Sequence, residues 1–91
     1  MIELRALVND LGIVEKRMGL FESKYSVLSD EFHRAFINGE LSEFDARDDY
    51  RQDFLEWAAL CQTRQKLEQA YRRLVSSQPA VERIRRQLVT A

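Results

Sequence analysis

The chain has 91 residues, 45% of them hydrophobic and 32% charged, which is one domain's length and too apolar a mixture for a disordered segment. Three glycines and one proline leave too little turn-forming material for a β-sandwich or barrel. The formal net charge is −1, but residues 22–56 hold ten acids against four bases and residues 57–91 hold two acids against seven bases; such segregation points to an internal electrostatic match or to two surfaces for different partners.

The first predicted element is a helix over residues 3–25. Leu4, Leu7, Leu11, Val14, Met18, Phe21 and Tyr25 recur at alternating steps of three and four, a heptad seam over three repeats. Gly12 and Gly19 lie inside it and cost roughly 1 kcal/mol each relative to alanine, which a long regular stripe outweighs. Ser26-Val27-Leu28-Ser29 breaks the seam. Ser29 suits an N-cap, followed by Asp30 and Glu31 where carboxylates favour a helix start. The short helix that follows, residues 30–38, places Phe32, Ala35 and Phe36 on one face, and Gly39 is expected to end it in the left-handed conformation. Residues 40–47 read as a loop or a single turn around Phe44, with Ser42 as its cap.

A second long helix is predicted over residues 48–76. Trp57, Leu60, Arg64, Leu67, Tyr71 and Leu74 form its seam, Tyr50 and Phe54 extend it upstream, and Leu55, Ala58, Ala59 and Cys61 widen it. Arg64 falls on the seam, where a charge must find a partner or reach outward to water. Ser76-Ser77-Gln78-Pro79 interrupts the run, and Pro79 fits the first turn of a further helix. Val81, Ile84 and Leu88 continue as a stripe, on either a separate helix or a kinked extension. The fold expected is all-α: an antiparallel long-helix hairpin over 1–78 with a short connecting helix, and a basic helical tail over 79–91.

Around Trp57 the second long helix is apolar over most of its circumference, more than a helix buried on one face requires. Two helices and a short cap are not expected to cover it. The spacing therefore predicts completion as a helical bundle by a second copy or another protein, with Tyr25, Phe32, Phe54, Trp57, Arg64 and Tyr71 at the contact. Ordinary core packing of the aromatic residues is the competing reading.

No catalytic set can be assembled. The single histidine, His33, is expected on the polar face of a short helix, and the single cysteine, Cys61, behaves as a small buried apolar residue. That lone cysteine excludes an internal disulfide framework and suits a reducing compartment. Asp49, Asp53 and Glu56 share a helix face, but no calcium-loop pattern accompanies them, so neither a metal nor a cofactor is expected. Met1 to Arg5 lacks the apolar run of a signal peptide, and no stretch approaches the ~18 apolar residues of a membrane span; a cytoplasmic protein is expected. Arg72, Arg73, Arg83, Arg85 and Arg86 could bind a polyanion. No recognition-helix module or aromatic stacking pattern lies among them, so a protein partner is expected ahead of nucleic acid.

Phe21-Glu22-Ser23-Lys24-Tyr25, Ser29-Asp30-Glu31-Phe32, Gly39-Glu40-Leu41 and Asp53-Phe54-Leu55-Glu56-Trp57 together form a pattern that resembles a group of small bacterial helical proteins, antitoxins of two-gene toxin–antitoxin modules. The resemblance spans residues 15–75, with extra residues between Leu41 and Asp53. It implies a chain that neutralises a toxin by covering it, with Tyr25, Phe32, Phe54 and Trp57 at the matching positions. The alternatives are a homodimeric structural or adaptor bundle and a nucleic-acid accessory protein that uses the basic C-terminal arm.

Overall fold

A computed structural model describes residues 4–76 and 78–90. The elements are α1 (Leu4–Tyr25), α2 (Ser29–Ile37), a short 3-10 turn (Ser42–Phe44), α3 (Asp48–Val75) and α4 (Ala80–Thr90), with no strand among the described residues. The predicted helix start at residue 3, the reading of Met1 to Glu3 and that of Ser77 lie outside the described residues.

α1 packs along α3 as the predicted antiparallel hairpin, in a molecule 54 × 22 × 22 Å. Tyr25 at the end of α1 meets Tyr50 near the start of α3, whereas Leu4 and Tyr71 line one groove at the opposite end. The heptad seam of α1 is the buried face: Leu7, Val14 and Met18 are buried, and Leu4, Leu11, Phe21 and Tyr25 are half-buried. Trp57, Ala58 and Cys61 of α3 complete the core with Phe32 of α2.

The turn from α1 to α2 departs from the sequence expectation. Ser26 takes the left-handed conformation (φ 57°), and its N–H donates to the Glu22 carbonyl at 2.8 Å. The Glu22 carboxylate then accepts the Ser29 N–H at 2.8 Å, satisfying one of the donors that a helix start leaves open. Ser29 is thus not the cap; its hydroxyl is used elsewhere in the core.

α2 ends as the sequence predicts. Gly39 has φ 74°, its N–H donates to Phe36 O at 3.2 Å, and the Glu40 N–H donates to Ala35 O at 3.0 Å. These are the two bonds of a Schellman cap, whose left-handed residue favours glycine. In the 3-10 turn no side chain caps the start, so Ser42 does not fill the role expected of it. α3 begins with Asp48 and Asp49 in its first turn, where their charge opposes the helix dipole favourably. α4 is a separate helix, because the chain turns at Ser76 and restarts after Pro79, whose carbonyl accepts the Arg83 N–H at 3.2 Å. Among the described residues no helix is long and apolar enough to cross a membrane.

Candidate protein-binding surface

The six residues predicted to meet a partner divide between the two ends of the hairpin. At the α2 end, Trp57 is only 1% exposed and Phe32 4%. The Phe32 ring lies parallel to the indole with centroids 3.9 Å apart, and Phe21 and Tyr25 stack at 5.6 and 5.8 Å. The indole N–H donates to the Ser29 hydroxyl at 2.9 Å, so the one polar atom of the side chain is satisfied in the interior. Phe54, half-buried, packs against Tyr25 and Phe32. The expectation that the chain cannot hide this girdle is therefore corrected. α2 does more than cap an end: it lays Phe32 and Ser29 directly on the indole. Trp57 and Phe32 are core residues of the free chain and not exposed contacts. What remains of the girdle outside is Leu55, 52% exposed, with Ala59.

Two ion pairs between α1 and α3 engage Asp53 and Glu56. Arg17 donates to Glu56 at 2.5 Å, Lys24 to Asp53 at 2.6 Å, and the Tyr25 hydroxyl to the same Asp53 oxygen at 2.5 Å. The bonds from Lys24 and then Tyr25 hold the Asp53 carboxyl below its ordinary range. Burial, aided by the Asp53 bond, pushes the Tyr25 phenol up to about 12. Among the described residues no group of three or more His, Cys, Asp or Glu is placed to hold a metal ion. Arg64, the charge on the seam, is bound by Asp30 of α2 and lies 3.8 Å from Glu68; it ties α2 to α3.

Cys61 is buried and its thiol is directed at the Ser29 carbonyl, 3.9 Å away. Burial raises its pKa, which keeps the thiol protonated at neutral pH and opposes nucleophilic chemistry. His33, expected on a polar face, is half-buried instead, with Nε2 covered.

The other end has a different character. Tyr71, the sixth predicted residue, is half-buried. Its hydroxyl accepts a bond from the Arg83 guanidinium at 2.8 Å, which also lies over the ring at 5.6 Å from the centroid. Arg83 further donates through Nε to the Gln78 carbonyl at 3.2 Å. These contacts, with the turn at Pro79, tie α4 to the end of α3, and the start of α1 lies across a groove from it. The groove is open, with a volume of about 670 Å³. Leu4 and Val8 of α1 line one side, and Ile84 and Leu88 of α4 the other. Ile84 is 60% exposed and Leu88 74%, values far above those of a covered helix face. Among the described residues the charged ones lining the groove are Arg5, Arg83 and Arg86, with no acid among them. Arg72, Arg73 and Arg85 are exposed nearby on α3 and α4. Arg5, Arg72, Arg73 and Arg85 form no ion pair among the described residues.

Compared with known protein families, curated proteins and solved structures, the chain matches none.

Two features of this geometry escaped the sequence reading. The Ser29 hydroxyl as partner of Trp57 is 28 residues away in the chain, and no local pattern marks such a pair. The groove is the second. Its α4 wall is visible in the sequence as the Val81, Ile84, Leu88 stripe, but of its α1 wall Leu4 belongs to the core seam and Val8 to no predicted stripe.

Proposed function

We propose that this chain is a non-enzymatic protein-binding module whose docking surface is the open end formed by α4 and the start of α1. The observation that carries this reading is the pair of neighbouring apolar walls, Leu4 and Val8 against Ile84 and Leu88, which form an open groove at the end of the hairpin away from the buried Trp57. Exposed apolar surface of this kind, rimmed by charge, marks an interaction site. The partner-facing residues are then Tyr71 and Arg83, which join α3 to α4, and the apolar side chains along the groove.

The resemblance to antitoxins supports the finer reading, a partner that is a toxin neutralised by being covered. Its motif positions, Tyr25, Phe32, Phe54 and Trp57, build the core, so they contribute the scaffold, and the covering surface lies at the far end of the hairpin. Co-expression with the product of the adjacent gene tests the reading. A stable complex that co-elutes in gel filtration is expected, and failure of the two chains to associate would remove the toxin as the partner. Light scattering of the chain alone tests self-association; a strictly monomeric chain at high micromolar concentration removes the homodimeric bundle.

A further inference from the structure

We infer that the groove between α1 and α4 receives an amphipathic helix of a different protein, with apolar side chains at i, i+3, i+4 and i+7 flanked by aspartate and glutamate. This rests on the protein-binding reading above and names the class of partner. Three observations select it.

Both walls of the groove are helical and each presents its apolar residues four apart, Leu4 with Val8 and Ile84 with Leu88. Rows at this spacing accept the side-chain ridges of a third helix, and the helix-in-groove mode uses anchors at the same intervals. No strand edge exists among the described residues to add an extended peptide.

Charge selects the flanks. Among the described residues, Arg5 and Arg83 line the groove with no acid beside them, and Arg72, Arg73 and Arg85 are exposed next to the lining residues Tyr71 and Ile84 in the chain. Acidic flanks on the incoming helix would be steered and held by this rim. A second copy docked through the same end would instead bring two sets of arginines together, which disfavours a symmetric dimer there. Nucleic acid would match the rim, but would place phosphates against Leu4, Val8, Ile84 and Leu88. The third observation is preorganisation. The Arg83 guanidinium, held by Tyr71 and Gln78, ties α4 to the end of α3, and the recess beside α1 is already open in the chain alone, so the site exists before the ligand arrives. A recess suits a helix better than it suits a flat bilayer surface.

Fluorescence anisotropy of the full chain against labelled helical peptides of about four turns tests this. Each peptide carries Leu at i, i+3, i+4 and i+7, and its remaining positions are rich in Glu, Gln or Lys. The Glu-rich peptide is expected to bind about tenfold tighter than the Gln-rich one, the Lys-rich peptide weakest, and added salt should narrow the gap. The Ile84→Asp, Leu88→Asp double variant should lose about tenfold or more in affinity for the Glu-rich peptide, with Trp57 emission and far-ultraviolet circular dichroism unchanged because the core lies elsewhere. Equal binding of the three peptides, binding indifferent to the double variant, or no binding overturns the inference. So does tighter binding of a DNA duplex or of phosphatidylglycerol vesicles than of the Glu-rich peptide, or a dimer of the chain that the double variant dissolves. A complex with the adjacent gene product that survives the double variant also overturns it while leaving the protein-binding function standing. The expected peptide order, with no such complex formed, keeps the groove inference and removes only the neighbour as partner.

Discussion

At the α2 end of the hairpin, three aromatic rings close around Trp57, and the indole N–H, the Ser29 hydroxyl and the Glu22 carboxylate all find partners within the chain. At the α4 end, equally apolar side chains stand open, and Arg83 is held against Tyr71 of α3. Both ends present amphipathic helices. The difference lies in what covers them: at one end a helix lays a large aromatic ring flat on the stripe, and at the other the apolar side chains of α4 stay in solvent. Apolar content alone therefore does not identify a binding surface. Coverage does, and in this molecule the most aromatic segment is the least available.

The largest effect expected is at the closed end. Trp57→Ala should cost about 3–5 kcal/mol in denaturant unfolding, as truncation of a buried aromatic does; a loss below about 1 kcal/mol would mean that the ring packing does not hold the core together. Ser29→Ala leaves the indole N–H unpaired in the interior and should cost about 1–3 kcal/mol, an effect that Trp57→Phe in the same background should largely remove. Gly12→Ala should act in the opposite direction. A Cβ there meets nothing within 4 Å, and helix propensity then favours alanine by about 1 kcal/mol; a destabilised variant would show that the α1 surface between the two ends is more crowded than it stands here.

A pH series isolates the ion pairs of the closed end. The Asp53 pKa is depressed below 3.8 in the folded chain, so its contribution is complete above that value and is lost as pH falls through the lower folded-state pKa. The acid-side decline in unfolding midpoint should be shallower in Asp53→Asn than in the unaltered chain, and identical slopes would place the loss on other carboxylates. Smallest of all, Ile84→Ala with Leu88→Ala should shift stability by no more than about 0.5 kcal/mol, because exposed residues away from packed features do little to folding. A larger loss would show that α4 is folded onto the hairpin in solution and that the groove is shut.

Much of the architecture was legible beforehand, and for a local reason. Seven seam residues of α1 recur at helical spacing, and each is buried or half-buried as that spacing predicts; Gly39 ends α2 in the left-handed form that glycine favours. Ser29 was misjudged because its cap-like position was the only information the chain offered, while its true partner, Trp57, comes from another helix. Arg64 was recognised as needing a partner, but that partner, Asp30, sits on a helix whose placement across α3 no periodicity encodes. The candidate site was legible in half: the basic composition of the C-terminal third and the Val81, Ile84, Leu88 stripe were visible, the facing wall of Leu4 and Val8 was not.

Residue order settled which faces of the helices are apolar and where α2 ends, since periodicity and the glycine cap act within a few neighbouring residues. Which apolar surface stays hidden was decided only in three dimensions. Covering a stripe depends on elements distant in the chain, and here α2 crosses the hairpin to enclose Trp57 while α4 stands off from it and leaves Ile84 and Leu88 in solvent.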